Sequence, residues 1–208
     1  MKFIACKDEN EWIDCANDWL RQQCGTAGDR AIRLFVPAGD TPRPLYRSWR
    51  ENPRLVNDTI RFVQIDEILD DKDSPGKSRP FQKFFLAELP MFASRFEFID
   101  SAERGADYAF LGLGMNGHVA FHEPDLPREF YSGCLTLADS TCTRLHVVPQ
   151  TRAISYGATA FLNTKAIALL VRGIQKKEIL KKVLENSSQK YPASFLLDHP
   201  KLTIITDF

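Results

Sequence analysis

The chain has 208 residues, 44% of them apolar and 26% charged, ordinary proportions for one α/β domain with a sizeable core, expected to span residues 1–208. Lysine plus arginine and aspartate plus glutamate both number 27, so no global field favours nucleic acid or an anionic membrane, and any anionic ligand must be held locally. No apolar run approaches the ~20 residues of a membrane span, and the N-terminus, MKFIACKDENEW, turns charged too soon for a secretory signal, so a cytoplasmic protein is expected.

The five cysteines fit that expectation. Their number is odd and no C-x-x-C spacing occurs, which points to neither a disulfide framework nor a zinc site.

In chain order, residues 9–24 read as an amphipathic helix with Trp12, Ala16, Trp19 and Leu20 on one face. Residues 31–37 are a short apolar strand. A helix is expected from Thr41-Pro42 to about Arg50, and IRFVQI (60–65) is the next strand. DDKDSPGKSRP (70–80) is a polar loop and the expected mobile segment. Residues 81–90 read as helix, 95–99 as a short strand and 107–113 as a buried one. Within 127–148, Cys134–Leu137 and Arg144–Val148 read as strands flanking a loop. Residues 151–163 read as helix, 165–171 as strand, 174–186 as helix, and KLTIITDF as a closing strand. Strands alternating with helices predict a mostly parallel sheet with helices on both faces, a Rossmann-like α/β fold. Ligands of such sheets sit at the carboxyl ends of the strands.

Four segments at expected strand ends carry chemistry. In Val36-Pro-Ala-Gly-Asp-Thr-Pro-Arg-Pro-Leu-Tyr46, Gly39 permits a tight turn. Thr41 suits an N-cap and Pro42 the first helical position. The free N–H groups of such a helix start can hold a phosphate, although many strand–turn–helix junctions bind nothing. In Phe62-Val-Gln-Ile-Asp-Glu67, two carboxylates end a buried run. Asp66 in a cavity would be a proton acceptor with a raised pKa; the plainer reading is a helix cap or a solvated acid.

Phe110–Pro124 is the third segment. Gly112, Gly114 and Gly117 spell G-x-G-x-x-G, but Pro124 and Pro127 leave no room for the long helix of a dinucleotide site. The glycines instead bring backbone close to a small ligand, with His118 and Glu123 as a proton-shuttling pair; a satisfied structural histidine is the alternative. Last, Gly173-Ile-Gln-Lys-Lys177 puts cations at a helix start, where the macrodipole disfavours them unless an anion is bound.

Together these segments resemble the glucosamine-6-phosphate deaminase/isomerase and 6-phosphogluconolactonase family. GLGMNGHVAFHEP is similar to its deaminase loop, roughly G-x-G-x-(D/N)-G-H-I-(A/G)-F-N-E-P, with His122 at the Asn position. AGDTPRPLY resembles the family's phosphate loop, with Ala38-Gly39-Asp40 where Gly-Gly-Ser/Asn is usual. VQIDE, RAISYGATAFLNTKAIALLVRGIQK and PASFLLDHPKLTIITD resemble further family segments.

The resemblance implies an enzyme that opens the ring of an amino-sugar 6-phosphate, moves a proton between C2 and C1, and releases ammonia. Asp66 would be the base and His118 the ring opener, with Glu123 tuning it and Asn116 beside them. Gly39, Asp40, Thr41, Gly117 and Lys176 would hold the substrate and its phosphate, with Arg144 joining them. No metal and no organic cofactor is implied. A homo-oligomer fits as well as a monomer. Lactonase members follow the loop histidine with Thr-Ala-Ser and show D-E-R after the earlier strand; Val119-Ala-Phe and Asp66-Glu67-Ile68 favour the deaminase side. A lactonase and a non-catalytic sugar-phosphate sensor are the alternatives.

Overall fold

The computed structural model describes residues 1–27, 30–69, 79–99, 105–185 and 187–208. The strands among them are Lys2–Ala5 (β1), Ile32–Val36 (β2), Ile60–Gln64 (β3), Asp66–Ile68 (β4), Phe96–Glu97 (β5), Tyr108–Gly112 (β6), Ser132–Thr136 (β7), Arg152–Tyr156 (β8), Ala166–Val171 (β9) and Leu202–Thr206 (β10). The α-helices are Glu9–Ala27 (α1), Arg43–Glu51 (α2), Pro80–Glu88 (α3), Asp139–Leu145 (α4), Ala158–Leu162 (α5) and Lys177–Glu185 (α6).

A seven-stranded sheet runs β1-β10-β9-β6-β2-β3-β5, and every pairing in it is parallel. Side chains of its strands alternate between two cores, as the period of two requires. In β9, Ala166, Ala168 and Leu170 join one core, while Ile167, Leu169 and Val171 join the other. The first core takes Trp12, Trp19 and Leu20 of α1 and Tyr46 and Trp49 of α2; the second takes Phe161 of α5 and Ile179 and Val183 of α6. Helices therefore cover both faces, the expected architecture. The apolar stripe of α1 is the one that its spacing predicts.

A second sheet was not expected. Strands β4, β8 and β7 pair antiparallel, and Ile68, Phe121, Leu137, Cys142 and Ala153 form a small core beside them. Its presence corrects two expectations. Residues 152–156 form a strand rather than the start of a helix, because β8 is the central strand between β4 and β7 and buries Ala153, Ile154 and Tyr156. The helix starts only after Gly157, where a Cβ would collide with the Phe130 backbone. Of residues 144–148, expected as strand, Arg144 and Leu145 end α4, His146 closes it in a left-handed conformation at φ 56°, and 147–148 are neither helix nor strand. Strand β1, which sequence analysis passed over, pairs with β10 at the sheet edge. Residues 70–78 of the expected mobile loop lie outside the described residues. No described helix is long and apolar enough to cross a membrane.

Candidate active site

Strands β2 and β6 are neighbours whose chain connections leave in opposite directions, so the sheet has its switch point between them. At the carboxyl ends of β2, β3, β6 and β9 lies a cavity of about 500 Å³. Gly39, Asp40, Thr41, Asp66, His118, Arg144 and Lys176 all line it. Residues from separate segments of the sequence are thus gathered around one space.

The phosphate-like loop follows β2. Gly39 adopts φ 98°, the turn that a glycine allows. Thr41 does not cap α2: Pro42 occupies the cap position without a side-chain bond. The Thr41 hydroxyl accepts instead from Lys176 Nζ at 2.9 Å, and the same ammonium donates to Leu113 O at 2.6 Å. The Asp40 carboxylate, at the open edge of the cavity, is 94% exposed and lies 3.4 Å from Arg43 Nε. Solvent and Arg43 offset its charge, which still reaches Lys176 across the cavity mouth.

Asp66 and Glu67 have opposite surroundings. Glu67 is fully buried and saturated. Its Oε1 accepts from the N–H groups of Ile68 (2.9 Å) and Phe81 (3.0 Å), and its Oε2 from Gln64 Nε2 (3.0 Å) and the Gln82 N–H (2.8 Å). Two of those donors are orphan N–H groups in the first turn of α3, so Glu67 caps that helix from a neighbouring strand. Asp66 Oδ1, by contrast, is buried with no hydrogen-bond partner among the described residues. Burial first, then the nearby Glu67, push the Asp66 carboxyl well above its usual range.

His118 is fixed by its own loop. Gly114 N–H donates to His118 O (2.9 Å), and the His118 N–H donates to Asn116 Oδ1 (3.3 Å). A methyl group at 114 would overlap the imidazole, which is why the approach needs glycine. Arg144 Nη2 lies 3.1 Å from His118 Nε2. Because a guanidinium only donates, Nε2 is the acceptor and the ring proton sits on Nδ1. Nδ1 faces Glu123 Oε2 at 3.4 Å, and Asn116 Nδ2 donates to the same oxygen at 3.0 Å. Burial, reinforced by Arg144 and Lys176, lowers the His118 pKa despite the pull of Glu123, so the ring is neutral at pH 7. Burial opposes ionisation of Glu123, but His118, Thr141 and Asn116 outweigh it and hold the carboxyl below its usual range. Burial, then Arg144 and Arg172, lower Lys176 to about 8.

Asn116 and Glu123 thus stand behind His118, outside the cavity lining. Gly117 is elsewhere: its carbonyl accepts from the Ala193 N–H at 2.9 Å, and it packs against Tyr191. Arg172 and Phe81 are among the lining residues that the sequence motifs do not single out. Arg172 could have been found from its place at the end of a buried strand; Phe81 gave no signal, since its position depends on the Glu67 cap. Among the described residues, no cluster of His, Cys, Asp or Glu could hold a metal ion, and the cysteines are free.

Fold and site together define an α/β protein that collects acid–base groups and cations at the switch point of a parallel sheet. The profile of the glucosamine-6-phosphate isomerases/6-phosphogluconolactonase family matches residues 86–204, and the chain belongs to that family of enzymes. It is similar to the glucosamine-6-phosphate deaminases of Lactococcus lactis subsp. lactis strain IL1403 (29% identity, 100% of this chain, 96% of the relative) and of Bacillus cereus strain B4264 (28%, 100% and 87%). Among solved structures, a monomeric glucosamine-6-phosphate deaminase shares its fold with a TM-score of 0.80 at 24% identity, over 99% of this chain and 97% of that one. The 6-phosphogluconolactonase of Leishmania guyanensis gives 0.72 at 18%, over 99% and 95%.

Proposed function

We propose that the protein is a glucosamine-6-phosphate deaminase/isomerase acting on an amino-hexose 6-phosphate as a single domain. The observation that carries this reading is the shared cavity: Asp66 and His118 face the same space as the Thr41–Lys176 pair. Thr41, Gly39, Lys176 and Arg144 hold the phosphate, and that grip positions the sugar's first two carbons. Neutral His118 relays the proton between the ring oxygen and the C1 hydroxyl as the pyranose opens, and the Glu123 carboxylate stabilises the imidazolium formed in passing. Asn116 holds Glu123 in place.

Asp66 then takes the proton from C2 and returns it to C1. As the C2 proton moves to C1, O1 gains a proton and the nitrogen loses one, so C1 goes from aldehyde to alcohol and C2 from amine to imine. Water adds to the imine, ammonia leaves, and a 2-keto sugar phosphate remains. A carboxyl with a raised pKa suits this work, because it is basic enough to take a carbon-bound proton and acidic enough to give it back.

The test is ammonia release from glucosamine 6-phosphate. Asp66→Asn is expected to abolish turnover while inorganic phosphate still binds. Undiminished turnover in that variant would end the assignment. Ring opening of 6-phosphogluconolactone without ammonia release from the amino sugar would select the lactonase instead. Binding of both without turnover would select a sensor.

A further inference from the structure

The cation cluster of the cavity contains one member that the proposed phosphate grip leaves unused. Arg172 follows directly on β9 and lines the cavity with Arg144 and Lys176. Its Nη1 donates to Oε2 of Glu9, in the first turn of α1, at 3.1 Å. The Arg172 side chain is 28% exposed and Glu9 48%, so this pair stands at the rim, with the guanidinium between solvent and cavity.

The backbone that carries Arg172 is anchored. Gly173 adopts φ 92°, and its N–H donates to Asp207 Oδ1 at 2.7 Å. The same turn leads into Lys176, so the two cations approach the cavity from one short, fixed segment. A guanidinium has more donors than one carboxylate oxygen can use, and its planar fork matches a phosphoryl group. Arg172, Arg144 and Lys176 repel one another across the cavity, adding to the burial that chiefly lowers the Lys176 pKa, and a doubly charged ligand would relieve that repulsion more than a singly charged one.

Building on the phosphate site assigned above, we propose that Arg172 is a specificity-determining residue: it shares its donors between Glu9 and the ligand's phosphoryl group and selects dianionic phosphate esters. Glu9 is then a competitor for the guanidinium as well as its support. Removing the two side chains' charges must therefore change phosphate affinity in opposite directions, which a purely structural ion pair would not do.

Calorimetric titration with inorganic phosphate tests this on the full chain. Arg172→Gln is expected to weaken binding about tenfold and Arg172→Lys by less, since a lone ammonium keeps the charge but not the fork. Glu9→Gln, a change at an exposed carboxylate, is expected to tighten binding two- to threefold. With a turned-over sugar phosphate, KM follows the same order. If Arg172→Gln binds phosphate as the unmodified protein does while Lys176→Ala binds it weakly, this inference is wrong and the phosphate site stands. If Glu9→Gln and Arg172→Gln weaken binding alike, the pair is merely structural and the inference is also wrong. If Lys176→Ala too leaves binding unchanged, the phosphate site itself has been misplaced.

Discussion

Adjacent carboxylates can differ completely in what they do. Asp66 and Glu67 are indistinguishable by residue chemistry alone, yet one is saturated by four donors and the other is held bare in a cavity. The buried polar atoms left without a partner among the described residues belong to Asp66, His118 and Glu123, and such groups are costly to keep unless they have work to do. Two predictions belong at this scale. Gly114→Ala would drive a methyl into the His118 ring; kcat should fall at least about tenfold, since small misplacements of a catalytic group cost much. A thermal melt would show whether the fold is kept.

The second concerns pH. Lys176 loses its proton at about 8 in the free protein, so its charge is present below that pH and lost above it. For a phosphorylated substrate, kcat/KM is expected to fall above pH 8, while kcat, measured with the anion bound, persists to higher pH. On the acid side, Asp66 must be ionised to accept a proton. Its raised pKa moves the rising limb above the ordinary carboxylate range.

Elements reveal which parts of the sequence could be read in advance. The inner strands of the main sheet are apolar runs buried on both faces, and their composition and length mark them in the sequence, as the stripe marks α1, whereas the exposed edge strand β1 carries no such signal. The small sheet was harder. Residues 151–163 mix alanines, a glycine and β-branched residues that suit either structure, and pairing with β4 and β7 decides the outcome. The same holds for α4, whose DSTCTRL sequence is a poor helix former. It is kept in place by burial of Thr141 and Cys142, and it delivers Arg144 to His118. The site was more legible than these elements because its residues come in short local motifs at strand ends. Phe81 was not, because only long-range packing through the Glu67 cap places it, while Arg172 stands at a strand end without a motif of its own.

The cap on α3 carries its own prediction. Glu67→Ala would remove a buried acceptor of several hydrogen bonds and leave two helix N–H groups unsatisfied. A loss of about 2–3 kcal/mol in urea unfolding is expected. Phe81 should lose its place in the cavity wall, raising KM as well.

On the scale of the whole molecule, the end of the sheet opposite the cavity is tied by one carboxylate. Asp107 accepts from Arg30 Nη2 (2.6 Å), the Arg33 N–H (3.0 Å) and Lys165 Nζ (2.9 Å), joining the amino ends of β2, β6 and β9. Burial opposes its ionisation, but those donors outweigh it and bring the pKa from 3.8 down to about 2. A lowered carboxyl pKa stabilises the folded state above the unfolded value, and that contribution is lost as pH falls from about 4 towards 2. Unfolding midpoints measured across that window should decline, and Asp107→Asn should flatten the decline.

The two sheets meet at Ile65, the residue between the end of β3 and the start of β4. Asp66 therefore hangs from the antiparallel sheet, paired with Ser155, while Thr41 and Lys176 hang from the parallel one. Strand side chains alternate, so a residue inserted beside Ile65 would turn the aspartate to face the opposite way without touching the cationic wall. Such a protein would still grasp its sugar through Thr41 and Lys176 but leave the C2 proton in place: the base and that part of the grip are mounted on different sheets, and a one-residue slip is enough to divorce them.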